Sequence, residues 1–232
     1  MNAPAPEQSE ITVWDLPVRI FHALLIFCVA GAYLSADSER WRLLHVTLGY
    51  TMAGLVLFRL LWGFIGSPYA RFSSFVRGPK AVMQYLRSLR TRQPEHHTGH
   101  NPAGALAILG LLSLAGITAA TGWAAYNDVG GEALKELHDV VANAILALAG
   151  LHVAGVFFGS WLHRENLVRA MITGRKLGNR HEGLPGTRAA IGVLLLAITL
   201  GFWAAQWQAT SRPHSPSTNI TVGIADLAHP AR

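Results

Sequence analysis

The chain has 232 residues, of which 51% are hydrophobic and 14% charged, with a formal charge of +6. Soluble domains carry about 25% charged residues, and the deficit here falls in long uncharged runs, the pattern of a membrane protein. A single cysteine, Cys28, excludes an intrachain disulfide, a cysteine-based zinc site and a cysteine-ligated iron–sulfur cluster.

Five apolar stretches reach the ~20 helical residues that a bilayer requires: Pro17–Ser35, Leu43–Gly66, Pro102–Tyr126, Leu137–Leu162 and Ala189–Gln208. Each must be helical, because lipid offers no partner to free backbone groups. The segment ahead of the first span carries Glu7, Glu10 and Asp15 and no early cluster of positive charge, so it is read as a span and not as a secretion signal. Between spans two and three, Phe75–Arg90 places Val82, Tyr85, Leu86 and Leu89 on one helical face, with Arg87 and Arg90 off it. Asn166–Lys176 is a shorter segment of the same kind, with Leu167, Met171 and Ile172. Both are connectors that either lie on the membrane or merely follow it.

Lys and Arg in the loops set the orientation. Residues 67–101 carry Arg71, Arg77, Lys80, Arg87, Arg90 and Arg92, and residues 163–188 carry Arg164, Arg169, Arg175, Lys176, Arg180 and Arg188. The connectors after spans one and three balance Arg40, Arg42 and Lys135 against Asp37, Glu39, Asp128, Glu132 and Glu136. The N-terminus is therefore expected in the cytoplasm and the C-terminus in the periplasm, with a Ser-, Pro- and Thr-rich disordered tail over 209–232. Trp14, Trp41, Trp62 and Trp123 stand near span ends and read as interfacial anchors.

Seven of the eleven histidines lie in loops or tails; His22, His45, His138 and His152 lie in spans. An ionisable side chain within a span is costly and is a functional candidate by default. Counting from span ends, His45 and His138 lie near the outer side, and His22 and His152 near the cytoplasmic side. His138 and His152 are fourteen residues apart, about 21 Å along the axis and within roughly 40° of the same helix face. Two pairs at two depths suit two haems, since a porphyrin leaves two axial positions, whereas zinc wants three or four protein ligands. Small residues nearby, Gly49, Ala142 and Gly155, either leave room for flat rings or serve ordinary helix packing. The cluster His96, His97 and His100 reads as a solvated loop, with a surface metal as the alternative. No nucleotide loop, nucleophile elbow or metalloprotease motif appears, and nothing calls for nucleic acid.

WDLPVRIFH (Trp14–His22), HVTLGY (His45–Tyr50), FRLLWGFIG (Phe58–Gly66), GHNPAGAL (Gly99–Leu106), the LHD and LH of span four and ENLVRAMITGRK (Glu165–Lys176) together resemble the bacterial cytochrome b561 family, including the b-type cytochrome subunits of nickel–iron hydrogenases. The resemblance covers residues 14–176 and implies an all-α, integral membrane four-helix bundle with two bis-histidine haems b, ligated by His22, His45, His138 and His152. The fifth span lies outside it, so residues 1–188 are expected to form the di-haem core and 189–208 an added helix. The resemblance also implies exchange of electrons with membrane quinone. Asn101 could hydrogen-bond a quinone oxygen, with His100 or a neighbour relaying the proton; alternatively it caps the helix ahead of Pro102. Arg19 and Arg59 could hold propionates of the inner haem or snorkel to lipid phosphate. The expected function is electron transfer in a bacterial inner-membrane respiratory chain between quinone and a periplasmic hydrogenase or c-type cytochrome. The alternatives are a superoxide:quinone oxidoreductase of the same family, using Arg40, Arg42 and Lys135, and a haem-free membrane scaffold or transporter.

Overall fold

A computed structural model describes residues 8–90 and 97–211; His96, His214, His229 and residues 212–232 of the tail expected over 209–232 lie outside the described residues. Strand β1 (Gln8–Thr12) leads into α1 (Leu16–Ser35), and a 3₁₀ turn (Glu39–Trp41) opens α2 (Arg42–Ile65). Two short helices, α3 (Phe72–Phe75) and α4 (Gly78–Arg90), precede α5 (Pro102–Tyr126) and α6 (Gly131–His163). Helix α7 (Leu167–Thr173), strand β2 (Arg175–Asn179), a second 3₁₀ turn (Arg180–Glu182) and α8 (Ala189–Ser211) complete the order. Five of these helices are long and apolar enough to cross a membrane.

Side chains that satisfy free backbone N–H groups fix where the helices start. The Asp15 carboxylate accepts from Val18 N at 3.0 Å, with Pro17 in the first turn of α1. The Asn101 side-chain oxygen accepts from Gly104 N at 2.7 Å, with Pro102 at the first position of α5. Helix α7 is capped by Asn166 and stops at Gly174, whose φ of +80° suits glycine. A Cβ at Gly174 would also lie 2.7 Å from the Trp14 carbonyl oxygen. That close approach exists because Val13 N and Trp14 N both donate to the Gly174 carbonyl, at 2.8 and 3.1 Å.

Strands β1 and β2 pair antiparallel, from Gln8 opposite Asn179 to Thr12 opposite Arg175. This small sheet straps the N-terminal segment to the connector between α6 and α8, at the end of the bundle that also holds α3, α4 and α7. We call this the loop end, and the opposite end, with the connectors over 36–41 and 127–130, the hairpin end. At the hairpin end the Arg42 guanidinium lies 5.9 Å from the Tyr126 ring centre.

Within the bundle, neighbours run α8, α1, α2, α5, α6. The core between α1, α2 and α5 is built on Phe21, Cys28, Leu48, Leu55 and Ala115, with Ile145 of α6. Outward-facing Leu57, Phe64, Ile65, Leu151 and Phe157 remain exposed, as lipid contact requires. Lipid tails are as apolar as these side chains, so close packing and interhelical hydrogen bonds hold the helices together. One such bond runs from Trp203 Nε1 to Thr51 Oγ1 at 2.9 Å and joins α8 to α2. Of the spanning helices, α6 packs extensively on α5 alone among the described residues. Its faces toward α1 and α2 stand off, and there the intramembrane histidines meet.

Two sequence-based expectations are corrected here. Trp14 and Trp62 are not interfacial anchors: they are 7% and 6% exposed, and Trp62 Nε1 donates to the buried Asp15 carboxylate at 3.0 Å. His97 and His100 are not in a solvated loop. The His100 ring is packed between Trp14 and Phe75, with ring centres at 4.4 and 4.8 Å, and His97 lies against Tyr85. Trp41 and Trp123, about half exposed, do stand at the bundle surface.

Candidate functional site

His45 stands in the first turn of α2 and His138 in the second turn of α6, both toward the hairpin end. Their ring centres are 6.1 Å apart with the planes at 78°. His45 Nδ1 donates to the Ala32 carbonyl of α1 at 2.8 Å. His138 Nδ1 donates to the Thr118 carbonyl of α5 at 3.0 Å, with Thr121 Oγ1 at 3.3 Å. A carbonyl can only accept, so each Nδ1 carries the proton and each Nε2 keeps its lone pair, the ligating tautomer. A metal–imidazole bond is ~2 Å and the ring centre lies ~1 Å further, so two axial rings on one ion stand ~6 Å apart. The observed separation fits that requirement.

The second pair lies toward the loop end. His22 stands on α1 and His152 on α6. His100 joins them, with Arg59 and Lys176 also among its charged surroundings. Its burial, reinforced by Arg59 and then Lys176, pushes the His100 pKa down to about 3, so the ring is neutral. His100 Nδ1 is buried without a hydrogen-bond partner among the described residues.

Arg59 is 3% exposed and therefore does not snorkel to lipid phosphate. Its guanidinium lies 5.1 Å from the Phe72 ring centre and within reach of the Asp15 charge, while Nη1 has no hydrogen-bond partner among the described residues. A buried donor left unpaired costs ~1–3 kcal/mol, and a carboxylate of a bound group would satisfy it. Arg19 also has a buried, unpartnered Nε, but its Nη2 donates to the Ile172 carbonyl of α7. The Asn101 oxygen is engaged in capping α5, so its amide N–H groups are the part left to meet a ligand. Gly49 and Gly155, beside His45 and His152, would seat a Cβ with no atom within 4 Å. They are therefore not points where two helices touch.

Sequence reasoning missed Asp15, Trp62, Glu165 and Lys176 as buried polar groups near this end. Asp15 was legible as a cap ahead of Leu16-Pro17, but nothing local revealed its bond to Trp62 in the next span. Lys176 Nζ meets Glu165 Oε2 at 3.1 Å with 3% of its side chain exposed. Among the described residues no group of three or more His, Cys, Asp or Glu side chains is placed to hold a metal ion.

Three relatives illustrate what the chain is similar to, each described as a probable Ni/Fe-hydrogenase B-type cytochrome subunit. The one from Rhodobacter capsulatus is 23% identical, covering 73% of this chain and 82% of its own length. The one from Rhizobium leguminosarum bv. viciae is 21% identical, over 77% and 93%. The one from Escherichia coli K12 is 27% identical, over 50% and 60%. No solved structure matches the chain. The family model for prokaryotic cytochrome b561 matches residues 13–174, a span that includes all four intramembrane histidines and most of the loop end, and the chain belongs to that family of membrane electron-transfer proteins with b-type haem.

Proposed function

We propose that the chain carries electrons between membrane quinone and a redox partner at the hairpin end, through two b-type haems. His45 and His138 hold one, and His22 and His152 the other. The observation that carries this reading is the 6.1 Å spacing of the His45 and His138 rings, with both Nδ1 atoms committed to carbonyls. When bound, each haem supplies an iron that accepts and returns one electron.

The chain's residues set the conditions for that exchange. Ala32 and Thr118 lock the two imidazoles at the hairpin end through their carbonyls, so little rearranges as charge changes. Arg59, with Arg19 beside α7, offers guanidinium N–H groups to propionates at the loop end. Asn101 donates an amide N–H to a quinone oxygen at the start of α5. His100, one residue away, is held neutral and can offer a ring N–H to the same site without itself taking up a proton.

The excess of Lys and Arg in the connectors supports a loop end in the cytoplasm and a hairpin end in the periplasm. The β1–β2 pairing supports one part of this, because it keeps the N-terminal segment and residues 175–179 at a common end. The di-haem core falls within residues 1–188, and α8, which runs past the expected end at 208 to Ser211, is an accessory helix. The hydrogenase subunits among the relatives make a periplasmic hydrogenase the first candidate partner, with a c-type cytochrome second. Superoxide oxidation at the hairpin end is less well supported. Arg42 is engaged by Glu39 at 3.6 Å and Lys135 by Glu132 at 3.7 Å, which leaves little free positive charge there.

The test is reduction of the purified, haem-loaded protein by a short-chain ubiquinol, followed by the haem absorbance. The proposal expects reduction in the wild type. In Asn101→Ala it expects slower reduction by quinol, with haem content unchanged. Normal quinol reduction in that variant would remove Asn101 from the quinone site.

A further inference from the structure

The Lys176–Glu165 pair, with its lysine buried and its carboxylate partly exposed, plays no part in the functions above. Removing two charges from water is costly, and replacing a buried pair by apolar side chains is often neutral or stabilising. Stability alone therefore does not account for it. The pair's position is informative. Lys176 Nζ donates to the carbonyls of Thr98 at 3.2 Å and His97 at 3.4 Å, in the segment that leads directly to His100 and Asn101. On the other side, Glu165 lines a surface pocket of 350 Å³ at the end of α6, together with Ser160, Trp161, Arg164 and Asn166. Trp161 and Arg164 are exposed. One charged pair thus links an open pocket to the backbone under the proposed quinone contact.

We propose that Glu165 and Lys176 form the proton gate of the quinone site, a role that rests on the assignment of quinone to Asn101. Oxidation of a quinol breaks two O–H bonds and releases two electrons, taken one at a time by ferric haem iron as oxidant, and two protons. For each proton, a Lys176 N–H bond breaks as an O–H bond forms at Glu165 Oε2. The neutral amine then takes the proton from the quinol side, and Glu165 releases its own to water in the pocket. Lys176 ends each transfer as the ammonium it began, and reduction of quinone runs the same path in reverse. Arg164 lines the pocket beside Glu165. His100 and, beyond it, Arg59 lie on the quinone side. Glu182 is held by Thr98 and Asn179, and Glu10 of β1 by Arg169 and Arg175.

The experiment uses the full-length holoprotein and a short-chain ubiquinol. General acid–base groups contribute ~10²–10⁴-fold, so Glu165→Gln and Lys176→Met should slow quinol-driven haem reduction about 100-fold or more. They should do so through the maximal rate and not through the quinol concentration at half-saturation. Haem content and reduction by dithionite should stay normal, and Glu165→Asp should recover most of the rate. Time-resolved infrared spectra recorded while quinol reduces the haem should show a transient protonated-carboxyl band that Glu165→Gln abolishes. If the single variants lose haem, the Glu165→Leu/Lys176→Met double variant, which strands neither charge, replaces them. A normal rate in haem-loaded Glu165→Gln, Lys176→Met or the double variant, with the wild type reduced by quinol, overturns the gate alone. A wild type that quinol cannot reduce refutes the quinone assignment and the gate with it.

Discussion

A single methyl group at Gly122 probes whether His138 is a ligand held where the structure places it. A Cβ there would lie 2.9 Å from His138 Cε1 and 3.2 Å from Nδ1, whereas ordinary contact begins at 3.4 Å. In Gly122→Ala the ring must therefore retreat by about 0.5 Å, the difference between 2.9 and 3.4 Å. It would be driven off the Thr118 carbonyl that fixes its tautomer. Overpacking of this size costs about 1–3 kcal/mol, or a ~5- to 140-fold weaker hold at 1.4 kcal/mol per decade. Loss of an outer-shell partner alone typically costs ~10–100-fold in metal affinity. Alanine also favours the helix by ~1 kcal/mol, but that gain is the same with and without haem and does not offset the loss. The assay is haem titration of the apoprotein, read by absorbance and compared with Gly150→Ala, where the new methyl meets nothing within 4 Å. Gly122→Ala should weaken one haem of two, and Gly150→Ala neither. Full, tight binding of both haems in Gly122→Ala would show that His138 does not ligate from this position.

Asp15→Ala removes the cap of α1, the acceptor of Trp62 and the counter-charge of Arg59 together. Stranding a buried charge costs about 3–5 kcal/mol, and a marked loss of thermal stability, larger than in Asp15→Asn, should follow. His100, with its pKa pushed down to about 3, refuses a proton that the unfolded chain takes up near ~6.5. Stability should therefore fall as pH drops from about 6.5 towards 3, and His100→Phe should flatten that dependence in chemical-denaturation series. A chain ended at Arg188 should retain both haems, because the four histidines lie on α1, α2 and α6. Loss of either haem on deleting α8, measured as haem per protein, would make the fifth span part of the cofactor site.

The spans were legible because a bilayer demands length and apolarity, both of which can be counted along the chain. Pro102–Tyr126 is the same in sequence and structure, α1 starts one residue earlier than expected, and α2 is shifted by one residue at each end. The start of α6 differs more, at Gly131 instead of Leu137, because its polar first turns with Glu132, Lys135 and Glu136 continue the helix beyond the apolar run. Helix α4 was legible from the one-sided placing of Val82, Tyr85 and Leu89. The β1–β2 strap was not, since its partners are more than 160 residues apart and each strand is five residues long. In the site, helix periodicity and depth brought His45 toward His138 and His22 toward His152 on paper. The burial of Asp15, Trp62, Glu165 and Lys176 depends on tertiary contacts that no local pattern encodes. His100 was misread because histidine near a charged loop is usually solvated, and only the rings of Trp14 and Phe75 around it reveal otherwise.

The most direct test of two haems gripped by histidine pairs is the ratio of haem to protein, with reduced-minus-oxidised spectra, in the wild type and in four single His→Ala variants. The wild type should hold two haems per chain. His45→Ala and His138→Ala should lose the same spectral component, and His22→Ala and His152→Ala the other. One haem in the wild type, or His45 and His22 sharing a component, would contradict the arrangement.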